Sequence, residues 1–289
     1  MSRIAYVNGR YLRHGDASVH IEDRGYQFGD GVYEVCEVRA GDLIDEIPHL
    51  DRLDRSLAEL EMASPMPRTA LRLVLRETVR RNRVVHGLVY LQVTRGVARR
   101  DHAFPKPGTR PAIVVTAKSI NRDRLAGLAE KGVAVITCPD IRWTRVDVKS
   151  ISLLPNCLAK QAARQRGAFE AWLIDRDGYV TEGASTNAWI VTEDDVLVTR
   201  QADQSILNGV TRRALADIAV SQGLTVQERP FTVAEALRGR EAFVSASTLA
   251  AMPVISIDGV PVGSGKPGPI AQRLWQHFRE HDAVSVAAE

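Results

Sequence analysis

Two residues of this chain combine types that can do covalent chemistry. Lys149 closes the stretch Asp140-Ile-Arg-Trp-Thr-Arg-Val-Asp-Val-Lys149, and Glu182 follows 33 positions later in Tyr179-Val-Thr-Glu182-Gly-Ala-Ser185-Thr186-Asn187. A lysine amine condenses with carbonyls. A carboxylate beside a glycine and a Ser/Thr/Asn cluster suits a site that grips a cationic heterocycle. Together they point to a Schiff-base lysine with an acidic partner for a pyridinium nitrogen, the chemistry of pyridoxal phosphate (PLP). Each alone has a plainer reading, Lys149 as the solvated end of a strand-like run and Glu182 as a solvated loop residue.

A second segment, Asp23-Arg-Gly-Tyr-Gln-Phe-Gly29-Asp30-Gly31-Val-Tyr33-Glu34, places three glycines just before a strand. Gly25, Gly29 and Gly31 allow tight turning, and a glycine-rich loop without function would read the same way. On the strand that follows, Tyr33, Val35, Glu37 and Arg39 share one face. If Tyr33 lines a pocket, Val35 and Glu37 are candidates for it as well. Val210 and Thr211 open a helix after Gly209, and backbone N–H groups at such a terminus bind anions.

The elements expected to position these residues alternate between strands and helices. Asn8-Gly9 between Arg3–Val7 and Arg10–Arg13 marks a hairpin, and Ala40-Gly41-Asp42 between Val32–Arg39 and Leu43–Ile47 marks another. Leu50, Leu53, Leu57 and Leu60 recur at helical spacing over residues 49–61. Leu71–Arg81 reads as a further helix with Thr69 as N-cap, and Leu88–Thr94 and Ala112–Ala117 read as strands. The first domain is therefore expected over residues 1–118, small and α+β. A polar linker is expected at 119–124. A larger C-terminal domain over 125–289 would carry Lys149. In that domain, strands are expected at Val133–Thr137, Glu170–Ile174, Ala188–Val191 and Phe243–Ala246. Helices are expected near 156–166, capped by Asn156, and near 209–222. Thr232-Val-Ala-Glu235 reads as a capping box, and Ile270, Leu274 and Phe278 form the face of a last helix.

Composition narrows the function classes. The 289 residues include 38 basic and 35 acidic side chains, a net charge of +3, with a hydrophobic fraction of 45%. That balance predicts no special attraction to nucleic acid or membrane. Three widely spaced cysteines, Cys36, Cys138 and Cys157, indicate neither a disulfide framework nor a metal site and fit a reducing cytoplasm. The N-terminus lacks the apolar core of a signal peptide, and no apolar run approaches the ~18 residues that span a bilayer.

Five motifs, in order and across nearly the whole chain, carry a resemblance. They are the Asp23–Glu34 segment, His49-Leu-Asp-Arg52-Leu, Asp-Val-Lys149-Ser, Thr-Glu182-Gly-x-Ser-x-Asn and Ile206-Leu-Asn-Gly209-Val-Thr211-Arg. The sequence resembles the fold-type IV PLP enzymes, that is, the D-amino-acid transaminases, branched-chain aminotransferases and aminodeoxychorismate lyases. The resemblance implies a two-domain fold of the D-amino-acid aminotransferase type, α+β / α/β. It implies that Lys149 is the Schiff-base lysine and proton shuttle, and that Glu182 partners the pyridine nitrogen. Arg52, Val210, Thr211 and Ser247 would hold the phosphate, although a solvated role for Arg52 on its helical face would read equally well alone. Leu207 would pack on the ring, and Thr248 would lie in the substrate loop with Ser247.

Within that family, Thr94-Arg-Gly-Val-Ala-Arg99-Arg100-Asp101-His102-Ala-Phe-Pro105 is similar to the D-amino-acid transaminase version of this loop. The similarity implies that Arg100 and His102, with Tyr33, trap the substrate α-carboxylate, an anion whose geometry matches an arginine fork. It also implies a homodimer in which this loop reaches the partner's site. Two positions depart from the family. Glu37 stands where lysine is common, so an acidic group facing the pocket would disfavour dicarboxylates such as D-aspartate, unless it pairs with Arg39 or Arg100. Ala246 stands where a hydroxyl is common. The expected activity is transfer between a D-amino acid and a 2-oxo acid. An (R)-selective amine transaminase, a branched-chain L-aminotransferase, an aminodeoxychorismate lyase and a non-catalytic PLP-binding protein remain as alternatives.

Overall fold

The computed structural model describes residues 3–285. The chain forms two compact units. One comprises the residues up to Asn121 together with Val148–Ser152, and the other Arg122–Asp147 with the residues from Leu153 onward. The outermost residues of the two expected domains, 1–2 and 286–289, lie outside the described residues.

The first unit is a six-stranded sheet backed by helices. Its elements are β1 (Ile4–Val7), β2 (Arg10–Arg13), α1 (Arg24–Phe28), β3 (Gly31–Arg39), β4 (Asp42–Leu43), α2 (Glu46–Glu59), α3 (Arg68–Arg81), β5 (Gly87–Thr94) and β6 (Ala112–Ser119). The strand order is β2-β1-β6-β5-β3-β4, with every pairing antiparallel. Asn8 and Gly9 both take positive φ, 45° and 96°, the turn that a two-residue hairpin requires. Strand β3 alternates strictly. Val32, Glu34, Cys36 and Val38 are buried, whereas Tyr33, Val35, Glu37 and Arg39 are half-buried. The buried face packs with Leu50, Leu53 and Leu57 of α2 and with Leu71 and Leu75 of α3 in one apolar core.

The second unit contains α4 (Arg122–Lys131), β7 (Val133–Pro139), α5 (Leu154–Gln165), β8 (Glu170–Ile174), β9 (Val180–Gly183), β10 (Asn187–Val191), β11 (Leu197–Thr199), α6 (Val210–Ser221), β12 (Val226–Glu228), α7 (Val233–Arg238), β13 (Glu241–Ala246), β14 (Ala250–Ile257), β15 (Val260–Pro261) and α8 (Pro269–Ser285). Its nine-stranded mixed sheet runs β12-β11-β10-β13-β14-β7-β8-β9, with β15 on β14. Strands β8 and β10 are buried over nearly their full length, as expected of strands covered on both faces. Leu274 and Phe278 of α8 are fully buried against Trp189 and Phe243.

Several local expectations give way to the structure. Only Asp42 and Leu43 pair with β3 where a strand to Ile47 was expected, because α2 already begins at Glu46. Helix α3 starts at Arg68 behind Pro67, whose fixed φ sets the entry, and Thr69 lies inside its first turn. Helix α5 starts at Leu154, and the Asn156 side chain donates to the Ala184 carbonyl instead of capping. The glycine-rich segment encloses the short helix α1, with Asp23 accepting from Gly25 N–H and Gly29 ending it at φ 69°. The polar stretch expected as a linker at 119–124 holds the start of α4, and the first unit runs to Asn121. Lys149, expected in the second domain, groups with the first unit. Val148 is buried in that unit's core, Tyr33 N–H donates to the Lys149 carbonyl (3.0 Å), and Ile151 N–H donates to the Gly31 carbonyl (3.0 Å).

Candidate active site

Lys149 is fixed by its backbone before its side chain does anything. Its N–H donates to Ser56 Oγ (3.3 Å), a hydroxyl buried on α2, and its carbonyl accepts from Tyr33. The ammonium then stands 4.2 Å from the centre of the Tyr33 ring. Tyr33 lies on the half-buried face of β3 and stacks on Tyr90 of β5, ring centres 5.7 Å apart. Tyr90 sits directly across from Val35 and donates to Gln92 Oε1 (2.7 Å). Burial, reinforced by the neighbouring Tyr33, pushes the Tyr90 hydroxyl up to about 12, so it remains a neutral donor. This face is therefore a phenol-rich platform beside an amine.

On the opposite, buried face of β3, Glu34 meets α2. Arg52 grips it with two parallel bonds, Nε to Oε1 (2.7 Å) and Nη2 to Oε2 (2.8 Å), and His49 Nδ1 lies 2.8 Å from Oε2. His49 and Arg52 are three residues apart on one helical face. Burial alone would raise the Glu34 carboxyl, but the Arg52 charge and bonds, with His49, hold it well below the carboxylate range. Burial lowers His49, against the opposing pull of Glu34. Arg52 is thus an ordered, desolvated cation, not a solvated surface residue.

In the second unit, Glu182 lies on β9, and its side chain is almost fully buried. Arg142 Nη1 donates to Oε1, Asn187 Nδ2 to Oε2 (2.9 Å), and Leu207 N–H approaches both oxygens (3.2 and 3.3 Å). Arg142 in turn is clasped by Asp140, with Nε to Oδ1 at 2.9 Å and Nη2 to Oδ2 at 2.7 Å. Burial would lower the Arg142 guanidinium, but Glu182 and Asp140 outweigh it and push it up, so it stays charged.

Asn187 connects this carboxylate to the start of α6. Its amide also donates to the Leu207 carbonyl (2.9 Å), and a Cβ on Gly209 would stand 2.2 Å from its Oδ1. Gly209 is the N-cap of α6 and supplies no side-chain cap, while Val210 and Thr211 are buried in the first turn. The register of β10 with β13 pairs Asn187 with Ser245, which brings the turn carrying Ser247 and Thr248 to the same end of the sheet. An anionic carboxylate, an open helix N-terminus and a hydroxyl-bearing turn thus converge in this unit.

Arg100 and His102 lie in an exposed loop of the first unit and gather on Phe28. The Arg100 guanidinium is 4.8 Å from that ring centre, and the His102 ring is 5.5 Å away. Arg24 holds the loop through the carbonyls of Asp101 (2.6 Å) and Ala103 (3.3 Å), and its Nε binds Asp30 (2.7 Å). Glu37 pairs with Arg39 at 2.7 Å on the face of β3 that carries Tyr33 and Val35. Sequence reasoning missed Glu34, His49, Ser56, Tyr90, Asp140 and Arg142. Helical spacing from Arg52 signals His49 and Ser56, and strand alternation signals Glu34. Nothing in the local pattern singles out Arg142 among the 38 basic residues.

The chain matches the family model for amino-transferase class IV over residues 31–257. It is 41% identical over 276 residues to a D-alanine aminotransferase of Listeria innocua, covering 95% of this chain and 94% of that one. It is 38% identical to one of Staphylococcus haemolyticus, covering 96% of each. Among solved structures, the Escherichia coli branched-chain amino acid aminotransferase superposes with a TM-score of 0.87 at 24% identity, covering 98% of this chain and 95% of that one. The T.th. branched-chain amino acid aminotransferase, solved with pyridoxamine 5'-phosphate, gives 0.88 at 25% identity, covering 97% and 94%. The fold is that of the fold-type IV aminotransferases. The chain belongs to the class IV aminotransferase family.

Proposed function

We propose that this aminotransferase moves an amino group between a D-amino acid and a 2-oxo acid, with D-alanine and 2-oxoglutarate the type pair, in ping-pong fashion on PLP. The observation that carries the cofactor reading is the Glu182 carboxylate, buried, held by Arg142, Asn187 and the Leu207 N–H, and joined through Asn187 to the open N-terminus of α6. A fixed anion beside an anion-binding helix end suits a ligand with a cationic ring at one place and a phosphate at another. The preference for D-amino acids is supported by the relatives at about 40% identity over nearly the whole chain, which are named D-alanine aminotransferases.

The residues that would hold PLP are Glu182 at the ring nitrogen, Leu207 on the ring face, and Arg52, Val210, Thr211 and Ser247 at the phosphate. When bound, PLP supplies an aldehyde that takes up the amine and a ring that withdraws electrons from the substrate Cα. Lys149 Nζ would hold PLP through its aldehyde and, when free, would carry the proton to and from the substrate Cα. A negative Glu182 would favour a proton on the ring nitrogen. Tyr33, Arg100 and His102 orient the substrate carboxylate, with Val35 and Thr248 beside the substrate. In a homodimer the Arg100–His102 loop would serve the partner's site, and sedimentation of the purified protein reads that assembly. A cytoplasmic location completes the reading; among the described residues no helix is long and apolar enough to cross a membrane.

The test is direct. D-alanine added to the purified, PLP-loaded protein bleaches its visible absorption, and 2-oxoglutarate restores it. Bleaching by L-leucine or (R)-1-phenylethylamine but not by D-alanine transfers the assignment to a branched-chain or amine transaminase.

A further inference from the structure

Glu182 does not act as an isolated charge. It is one end of a buried row, Asp140–Arg142–Glu182, whose side chains are 12%, 5% and 6% exposed. Arg142 binds both carboxylates, and it also reaches Thr181 Oγ1 (3.3 Å) and the Ser205 carbonyl (3.2 Å). Thr181 Oγ1 donates to Asp140 Oδ2 (2.7 Å), and Arg142 N–H donates to Asp140 Oδ1 (3.1 Å), so Asp140 is bonded on both oxygens. A guanidinium in contact with Glu182 offsets part of the field that Glu182 would project on a cationic ring nitrogen, because the nearby opposite charge subtracts from it. The sum of the row is negative only if a second carboxylate offsets Arg142.

We infer that Asp140 is the residue that sets the charge of this row: by offsetting Arg142 it leaves one net negative charge at Glu182 and so keeps the proton on the PLP ring nitrogen. Asp140 is a positioning residue in this role; it acts through Arg142 and need not touch the cofactor. The inference rests on the assignment of Glu182 to the ring nitrogen. Geometry supports it independently of any family. Asp140 follows directly on the last residue of β7, with its N–H bound to the Ile174 carbonyl (2.8 Å), so the carboxylate is anchored to the sheet. Burial pushes the Asp140 carboxyl up, but the Arg142 and Thr181 bonds prevail and hold it below its ordinary value, which keeps it ionised.

The role makes a prediction that simple support would not. In Asp140→Asn the row sums to zero. In Arg142→Gln it carries two negative charges, and in the double variant it returns to one. Each protein is loaded with PLP labelled with 15N at the ring nitrogen, and the 15N chemical shift reads ring protonation directly, with kcat and KM for D-alanine measured alongside. Wild type is expected to show the protonated shift. Asp140→Asn is expected to move towards the unprotonated shift and to lose about tenfold or more in kcat, the equivalent of a one-unit fall in the ring nitrogen pKa, with little change in KM. Arg142→Gln and the double variant are expected to keep the protonated shift, the double variant recovering kcat relative to Asp140→Asn.

A wild-type shift in Asp140→Asn overturns the inference while leaving the PLP assignment intact. Loss of the ring proton in Arg142→Gln overturns it too, since Arg142 would then be needed to hold Glu182 in place, and this arm decides the matter if Asp140→Asn does not fold. A wild-type protein that takes up no PLP removes the functional reading itself, and the inference with it.

Discussion

The ammonium of Lys149 stands 4.2 Å from the centre of the Tyr33 ring, and the same two residues share a backbone hydrogen bond of 3.0 Å. The contact is favourable because a cation over an aromatic face is attracted by the ring quadrupole. The backbone bond means that the position of residue 149 does not depend on its side chain. Lys149→Ala is therefore expected to fold with a melting temperature near that of wild type and to lose D-alanine transamination by at least about 10²–10⁴, the usual contribution of a positioned acid–base group. Circular dichroism melting and a coupled pyruvate assay check both halves. Residual activity within about tenfold of wild type would remove Lys149 from the reaction.

Gly209 offers a second, sterically defined test. Its φ of −63° suits any residue, so alanine is not excluded by the backbone. The added Cβ would stand 2.2 Å from Asn187 Oδ1 and force that amide away from Glu182 and the Leu207 carbonyl. Overpacking of this kind typically destabilises by about 1–3 kcal/mol. Gly209→Ala is expected to retain its fold and release PLP more readily on dialysis, read as a raised Kd by absorbance titration. Cofactor affinity equal to wild type would show that Asn187 can move without consequence.

Much of this arrangement is legible in the residues alone, and the illegible part has a physical reason. Alternation along β3 places Tyr33, Val35 and Glu37 on one face, and the helical spacing of leucines places α2. Ordered motifs bring forward Lys149, Glu182 and the α6 terminus. Arg142 escapes because its significance is tertiary: a chain that turns irregularly after β7 returns it to β9, 40 positions away in sequence. Lys149 escapes its expected domain for the same reason. Two hydrogen bonds to β3 and the burial of Val148 decide where residues 148–152 belong, and neither is visible in local composition.

The Glu34–His49–Arg52 cluster predicts an acid sensitivity of known sign. Glu34 is depressed in the folded protein, so its contribution is full above the unfolded carboxyl value and is lost as pH falls towards the folded one. His49 is also depressed, by burial, so unfolding takes up a proton once pH drops through about 6.5. Both act in one direction but in different windows: His49 lowers stability as pH falls below about 6.5, and Glu34 lowers it further below about pH 4.5. Glu34→Gln removes the buried carboxylate that Arg52 holds with two parallel bonds, which is expected to lower stability at neutral pH by about 3–5 kcal/mol and to flatten the acid limb below about pH 4.5. Urea titrations at several pH values measure both. An unchanged acid limb in the variant would assign the sensitivity elsewhere.

Glu37 and Arg39 offer a test of substrate preference. An acidic residue at position 37 was expected to repel dicarboxylates unless it paired with Arg39 or Arg100, and the pair with Arg39 closes at 2.7 Å, with side chains 12% and 13% exposed, so the two charges largely offset one another. Repulsion by Glu37 is correspondingly muted. Removing only the negative member makes the face that carries Tyr33 and Val35 more positive by one charge. Glu37→Gln is therefore expected to raise kcat/KM for D-aspartate and D-glutamate relative to D-alanine by up to about tenfold, equivalent to about 1.4 kcal/mol, with the effect shrinking in high salt. Glu37→Lys places two cations together and is expected to shift the ratio further. Competition assays with paired D-amino acids measure the ratio without reference to enzyme concentration. A ratio unchanged in both variants would mean that the pair lies beyond the reach of the substrate side chain.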